Sequence, residues 1–94
     1  MEGYKEAIEA AIEREKDILG KKTAIKLAKK SEGIEVDEEG IVVEIKVDGK
    51  KALENVVYSF ADAIGSLSVT MIARELNKRD FNDLDMPDVL REKM

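Results

Sequence analysis

Residues 7–30, AIEAAIEREKDILGKKTAIKLAKK, align without a gap on residues 52–75, ALENVVYSFADAIGSLSVTMIARE, at a constant offset of 45. Ala7, Glu9, Asp17, Gly20 and Ala28 fall on Ala52, Glu54, Asp62, Gly65 and Ala73. Between these anchors Ile8 lies on Leu53, Ile12 on Val57, Leu19 on Ile64, Thr23 on Ser68, Leu27 on Ile72 and Lys29 on Arg74. A match that keeps both apolar positions and helix breakers predicts one helix, glycine, helix unit used twice.

In the first copy, Tyr4, Ala7, Ile8, Ala11, Ile12, Ile18 and Leu19 fall at helical spacing, with Glu and Lys on the other face. Gly20 either ends this helix or is carried through it; Ala24, Ile25, Leu27 and Ala28 resume the stripe before Ser31 and Gly33 stop it. The second copy runs through Leu53, Val56, Val57, Phe60 and Ile64, passes Gly65, and continues through Val69, Ile72, Ala73 and Leu76, with Asp48 as its N-cap.

Between the copies the period changes from 3.6 to 2. Ile34 and Val36 flank Glu35, and Ile41, Val43, Ile45 and Val47 alternate with Val42, Glu44 and Lys46, a two-stranded pattern with one buried face. Asp37 to Gly40 has the chemistry of a four-residue turn, with glycine supplying positive φ. Val36 opposite Ile41 and Ile34 opposite Val43 would put every apolar side chain on one face. Two strands are marginal alone, so the hairpin needs helical cover or a symmetry mate. After Lys78 a polar loop leads to a short helix with Pro87 in its first turn, Asp85 as cap, and Val89 and Leu90 as its apolar side. The expected architecture is a single α+β domain, residues 1–94: two related helix-Gly-helix units (4–31 and 50–78) flank a β-hairpin (34–47), followed by a C-terminal segment (79–94) with a short helix.

The copies differ in one direction. Glu13, Glu15, Lys16, Lys22 and Lys26 of the first become Tyr58, Phe60, Ala61, Leu67 and Met71 of the second, so the second unit is apolar on more than one face. Such a helix must be covered on most sides, and a domain this small buries only somewhat more than about 60% of its unfolded surface. A homodimer with Tyr58, Phe60, Leu67 and Met71 as interface candidates follows, twofold dimers being the commonest oligomers. The competing arrangement folds Phe81, Leu84, Val89 and Leu90 back over Leu67 and Met71.

Composition removes most chemistry. There is no cysteine and no histidine, which excludes disulfides, thiolate nucleophiles, imidazole bases and the usual zinc ligands. A net charge of -5 disfavours nucleic acid and anionic membranes as partners. Short apolar runs, and Glu2 and Glu6 near the amino terminus in place of a basic leader, predict a soluble cytoplasmic protein. Abundant Glu, Lys and Ile without Cys, His, Trp or Gln is a thermophile-like balance.

Three motifs carry less than their residues suggest. Gly20-Lys21-Lys22-Thr23 lacks the earlier glycine, the preceding strand and the Lys-Ser/Thr step of a phosphate loop, and its aligned copy Gly65-Ser66-Leu67-Ser68 has no lysine; glycine with a small hydroxyl residue suits helix capping or close crossing. Asp80, Asn82, Asp83, Asp85 and Asp88 lack the glycine and glutamate of a calcium loop. Lys21, Lys22, Lys26, Lys29 and Lys30 have no aromatic interleaving and precede an acidic run, which reads as a solvated face. No catalytic residue, cofactor or metal is expected, and Gly20, Gly40 and Gly65 are structural glycines. The function expected is a non-catalytic interaction or regulatory module, a homodimer with scope for a further protein partner. Other classes are an apolar-ligand sensor with a cavity among Val57, Phe60, Ile64, Met71 and Ile72, and, more remotely, an enzyme using converging carboxylates or lysines.

Overall fold

The computed structural model describes residues 3–81 and 83–94; Glu2 and Asn82, used above, lie outside them. The elements are α1 (Tyr4–Leu19), α2 (Lys21–Lys29), β1 (Ile34–Val36), β2 (Val42–Ile45), α3 (Gly49–Ile64), α4 (Leu67–Lys78) and α5 (Asp88–Arg91), an α+β fold with one antiparallel hairpin. Helices α1 and α3 start and stop at the same offset of 45, and each ends on a glycine, Gly20 at φ 88° and Gly65 at φ 90°. Left-handed backbone there ends the first helix of each unit and turns the chain into the second. At the start of α3 the Asp48 carboxylate accepts the Lys51 N–H, as the sequence predicts for its cap.

Helix α1 is the centre of the packing, in contact with α2, α3, α4 and β2. Its Ile8 and Ile12, with Leu53 and Phe60 of α3, Ile72 and Leu76 of α4, and Leu90, form the fully buried core. Arg14 lines a cleft with Arg74 and Glu75, whereas Glu6 and Ala10 share the next cleft with Arg79 and Phe81, so α1 and α4 run antiparallel. The backbone of Gly49 lies against the Tyr4 ring, which brings the starts of α1 and α3 together. The C-terminal segment closes this same end: Phe81, Met86 and Leu90 are buried, and the Tyr4 hydroxyl donates to the Asp85 carbonyl at 2.8 Å.

The hairpin register corrects the expectation. Ile34 pairs with Ile45, Glu35 with Glu44 and Val36 with Val42, and the ladder shifts between Glu35 and Val36. The connection is therefore the five residues Asp37–Ile41, with Val43 an extra residue in β2, a bulge. The turn's own chemistry takes Ile41 out of the strand. The Asp37 carboxylate accepts the N–H groups of Glu39 (2.8 Å) and Ile41 (3.0 Å), and the Asp37 N–H donates to the Ile41 carbonyl at 3.0 Å. Docking on α1 completes the register, because the Glu9 carboxylate accepts the Val42 N–H at 2.9 Å and Lys16 donates to the Glu39 carbonyl at 2.8 Å. Ile34, Val36 and Val42 are buried and Ile45 is half-buried; Ile41 (46% exposed) and Val43 (59%), both expected inside, face solvent.

Two further expectations change. Asp85 does not cap α5, where Pro87 holds the N-cap position; its carboxylate instead takes Lys50 and Arg91, each at 3.1 Å, tying the C-terminal segment to the start of α3. Glu15, expected on a solvated face, is fully buried.

Candidate functional site

The nominated interface residues separate. Phe60 is enclosed in the chain's own core, so it is not available to a partner. Tyr58 is exposed on the outer side of α3, Met71 is half-buried on the α1–α4 cleft, and Leu67, the first residue of α4, is 67% exposed. Phe81 and Leu90 fold into the core without covering Leu67; Phe81 lies by Glu6 and Ala10, at the opposite end of α4. Because α4 runs antiparallel to α1 and leaves from the end of α3, Leu67 shares one end of the bundle with Ile18 (40% exposed) and Ile64 (38%). Three large aliphatic side chains thus face solvent where the two glycine breaks lie.

A second feature lies between the C-terminal end of α2 and the outer side of α3, a groove of about 440 Å³. Its floor is closed by two side chains of α3: Ser59 Oγ donates to the Leu27 carbonyl at 2.7 Å, and Asn55 Nδ2 donates to the Glu32 carbonyl at 2.9 Å. Ser31, Tyr58 and Asp62 line it. Ser31 is 7% exposed and its hydroxyl has no hydrogen-bond partner. Asp62 is exposed and makes no ion pair among the described residues.

Glu15 is the third feature. Neither carboxyl oxygen has a hydrogen-bond partner, and burial pushes the group up to about 7 from its ordinary 4.5, with the Arg14 charge pulling the other way. The residue appeared in the sequence comparison only as a charged counterpart of Phe60, yet that alignment on an apolar position is the signal of its burial. Ser31 and Asp62 carried no signal, since Ser31 reads locally as a helix stop and Asp62 as a surface acid.

The charged motifs are drawn into the fold. Lys21 pairs with Glu39 at 2.8 Å and Lys29 with Glu38, so α2 holds the hairpin turn. Asp88 pairs with Arg91, as Asp85 does. In the acidic cleft against Phe81, the Glu6 carboxylate accepts the Gly3 N–H, Glu9 takes Val42 and Lys5, and Glu13 takes Lys16. Of the residues proposed to line an apolar cavity, Val57, Phe60 and Ile72 are fully buried and border none of four surface clefts that the fold presents. Among the described residues no helix is long and apolar enough to cross a membrane. No protein-family model, no curated protein and no solved structure matches the chain.

Proposed function

We propose that the chain is a non-catalytic interaction module of the cytoplasm, built by duplication of a helix-Gly-helix unit and working as a homodimer. The observation that carries this reading is Leu67. A leucine on the first turn of a helix, 67% exposed at the same end of the bundle as Ile64 and Ile18, gains about 1–2 kcal/mol on completing its burial. A twofold axis through this end would bring the three side chains of one copy onto those of the other, a self-complementary contact. A standard interface needs about 800 Å² per partner, roughly one-seventh of the chain's 5349 Å², so it would extend from this end onto the half-buried Met71 and its neighbours on α4. The duplication reading rests on the shared helix ends and the two equivalent glycines.

Light scattering over the micromolar range tests the dimer. Wild type is expected at twice the chain mass and Leu67→Lys at the chain mass, because an uncompensated charge in such a seam costs several kcal/mol. A monomeric wild type at high micromolar concentration overturns the reading. A dimer that is indifferent to Leu67→Lys moves the seam elsewhere and overturns this assignment of it.

A further inference from the structure

We infer that the groove between α2 and α3 is a binding site for a compact organic cation, an ammonium or guanidinium group held by Asp62, Tyr58 and the buried hydroxyl of Ser31. The inference does not depend on the dimer, whose seam lies at the end of the bundle.

The groove offers acceptors and few donors. Both donors that close its floor are already used, Ser59 Oγ on the Leu27 carbonyl and Asn55 Nδ2 on the Glu32 carbonyl. The second use leaves the Asn55 side-chain carbonyl as an acceptor. Ser31 sits just past the last turn of α2, its N–H spent on the Ala28 carbonyl at 3.0 Å, and its hydroxyl is buried without a partner. A buried unsatisfied hydroxyl is costly, and a ligand N–H that reached it by a small turn of the Ser31 side chain would remove that cost. The C-terminal end of α2 adds roughly half a negative charge, and Asp62 adds a full one with no ion pair among the described residues. Tyr58 supplies an aromatic ring at 47% exposure, whose face attracts a cation placed over it. Among the described residues Lys30 is the one cation lining the groove, exposed at the C-cap of α2 on a flexible stem, and the Lys51 ammonium lies near enough to interact with Tyr58 and Glu32. Glu32 also lines the groove and faces the Lys51 charge, so that Asp62 is set against Lys30. At about 440 Å³ the space falls in the range of small-molecule sites.

Two-dimensional amide NMR on the full chain tests this, with butylguanidine and 1,4-diaminobutane as probes, butylurea as the uncharged isostere, and N-acetyl-arginine amide as a stand-in for a side chain on a partner. Saturable shifts at Ser31, Tyr58 and Asp62 are expected for the cations, with Kd of order 1 mM or tighter, and none for butylurea. Asp62→Asn and Ser31→Ala should each weaken binding about tenfold or more, Lys30→Gln should tighten it, and Leu67→Lys should leave it unchanged. Tighter binding of the arginine amide than of butylguanidine assigns the cation to a partner chain, and the reverse assigns it to a free small molecule; either supports the site. Absence of saturable shifts with every cation, or shifts that persist undiminished in Asp62→Asn, overturns it.

Discussion

Glu15 and Phe60 occupy equivalent positions of α1 and α3, 45 residues apart, and both are fully buried, one as an aromatic ring and the other as a carboxyl group with no hydrogen-bond partner. The first unit therefore carries, at the point where the second packs its largest side chain, an ionisable group that is at ease only when neutral.

Stability should consequently fall as pH rises from 4.5 to about 7. The Glu15 carboxyl titrates at about 7 in the folded chain and at its ordinary 4.5 when unfolded, so the folded state holds the proton more tightly. Its contribution is fully present below pH 4.5, is lost between there and 7, and from 4.5 to 7 the loss amounts to about 3 kcal/mol. Glu6 and Asp37 are shifted the other way, lowered chiefly by backbone N–H groups of Gly3 and of Ile41, so their contributions are lost only as pH falls below the ordinary carboxylate range. Urea unfolding at pH 5 and pH 8 reads the difference. Glu15→Gln should flatten the slope, and Glu15→Met should stabilise the chain at pH 8 by about 1–3 kcal/mol. A wild type as stable at pH 8 as at pH 5, with the same profile in Glu15→Gln, would show that the carboxyl is not buried.

Gly49→Ala should destabilise, against the helix propensity scale. Alanine is favoured over glycine within a helix by about 0.5–1 kcal/mol, yet a Cβ on Gly49 would lie 2.3 Å from Tyr4 Cδ2 and 2.6 Å from Tyr4 Cγ. The ring has to move, and with it goes the hydrogen bond to Asp85 that holds the C-terminal segment. A net loss of about 1–3 kcal/mol is expected, smaller in a Tyr4→Ala background, where those two ring atoms are gone and only the 2.9 Å approach to the Cβ of residue 4 remains. Thermal unfolding of the two pairs decides it, and a stabilising Gly49→Ala would refute the close approach.

What could be read from the sequence is what local rules decide. Aliphatic spacing, the glycines at 20 and 65, the Asp48 cap and the switch from period 3.6 to period 2 each act over a few residues, and each appears in the fold. What could not be read depends on contacts distant in sequence. Alternation at Ile41 and Val43 favours one register, but Asp37 withdraws Ile41 into the turn and Glu9, 33 residues before Val42, takes that residue's N–H. Likewise Ser31 becomes part of a groove only because Ser59 and Asn55 of α3 close the floor beneath it.

The hairpin register should be held by Glu9 and not by its ion pair. The same carboxylate oxygen accepts the Val42 N–H and the Lys5 ammonium, each at 2.9 Å. The Val42 amide is the half-buried partner, and an exposed i, i+4 ion pair contributes only about 0.3–0.5 kcal/mol. Lys5→Ala should therefore leave stability nearly unchanged, whereas Glu9→Ala leaves a strand N–H unpaired beside α1 and should cost about 1–3 kcal/mol. Amide exchange separates the two effects locally. Protection at Val42 should fall at least about tenfold in Glu9→Ala and remain in Lys5→Ala. If Val42 keeps its protection without Glu9, the bulge is set by the Asp37 turn alone, and docking on α1 follows the register instead of fixing it.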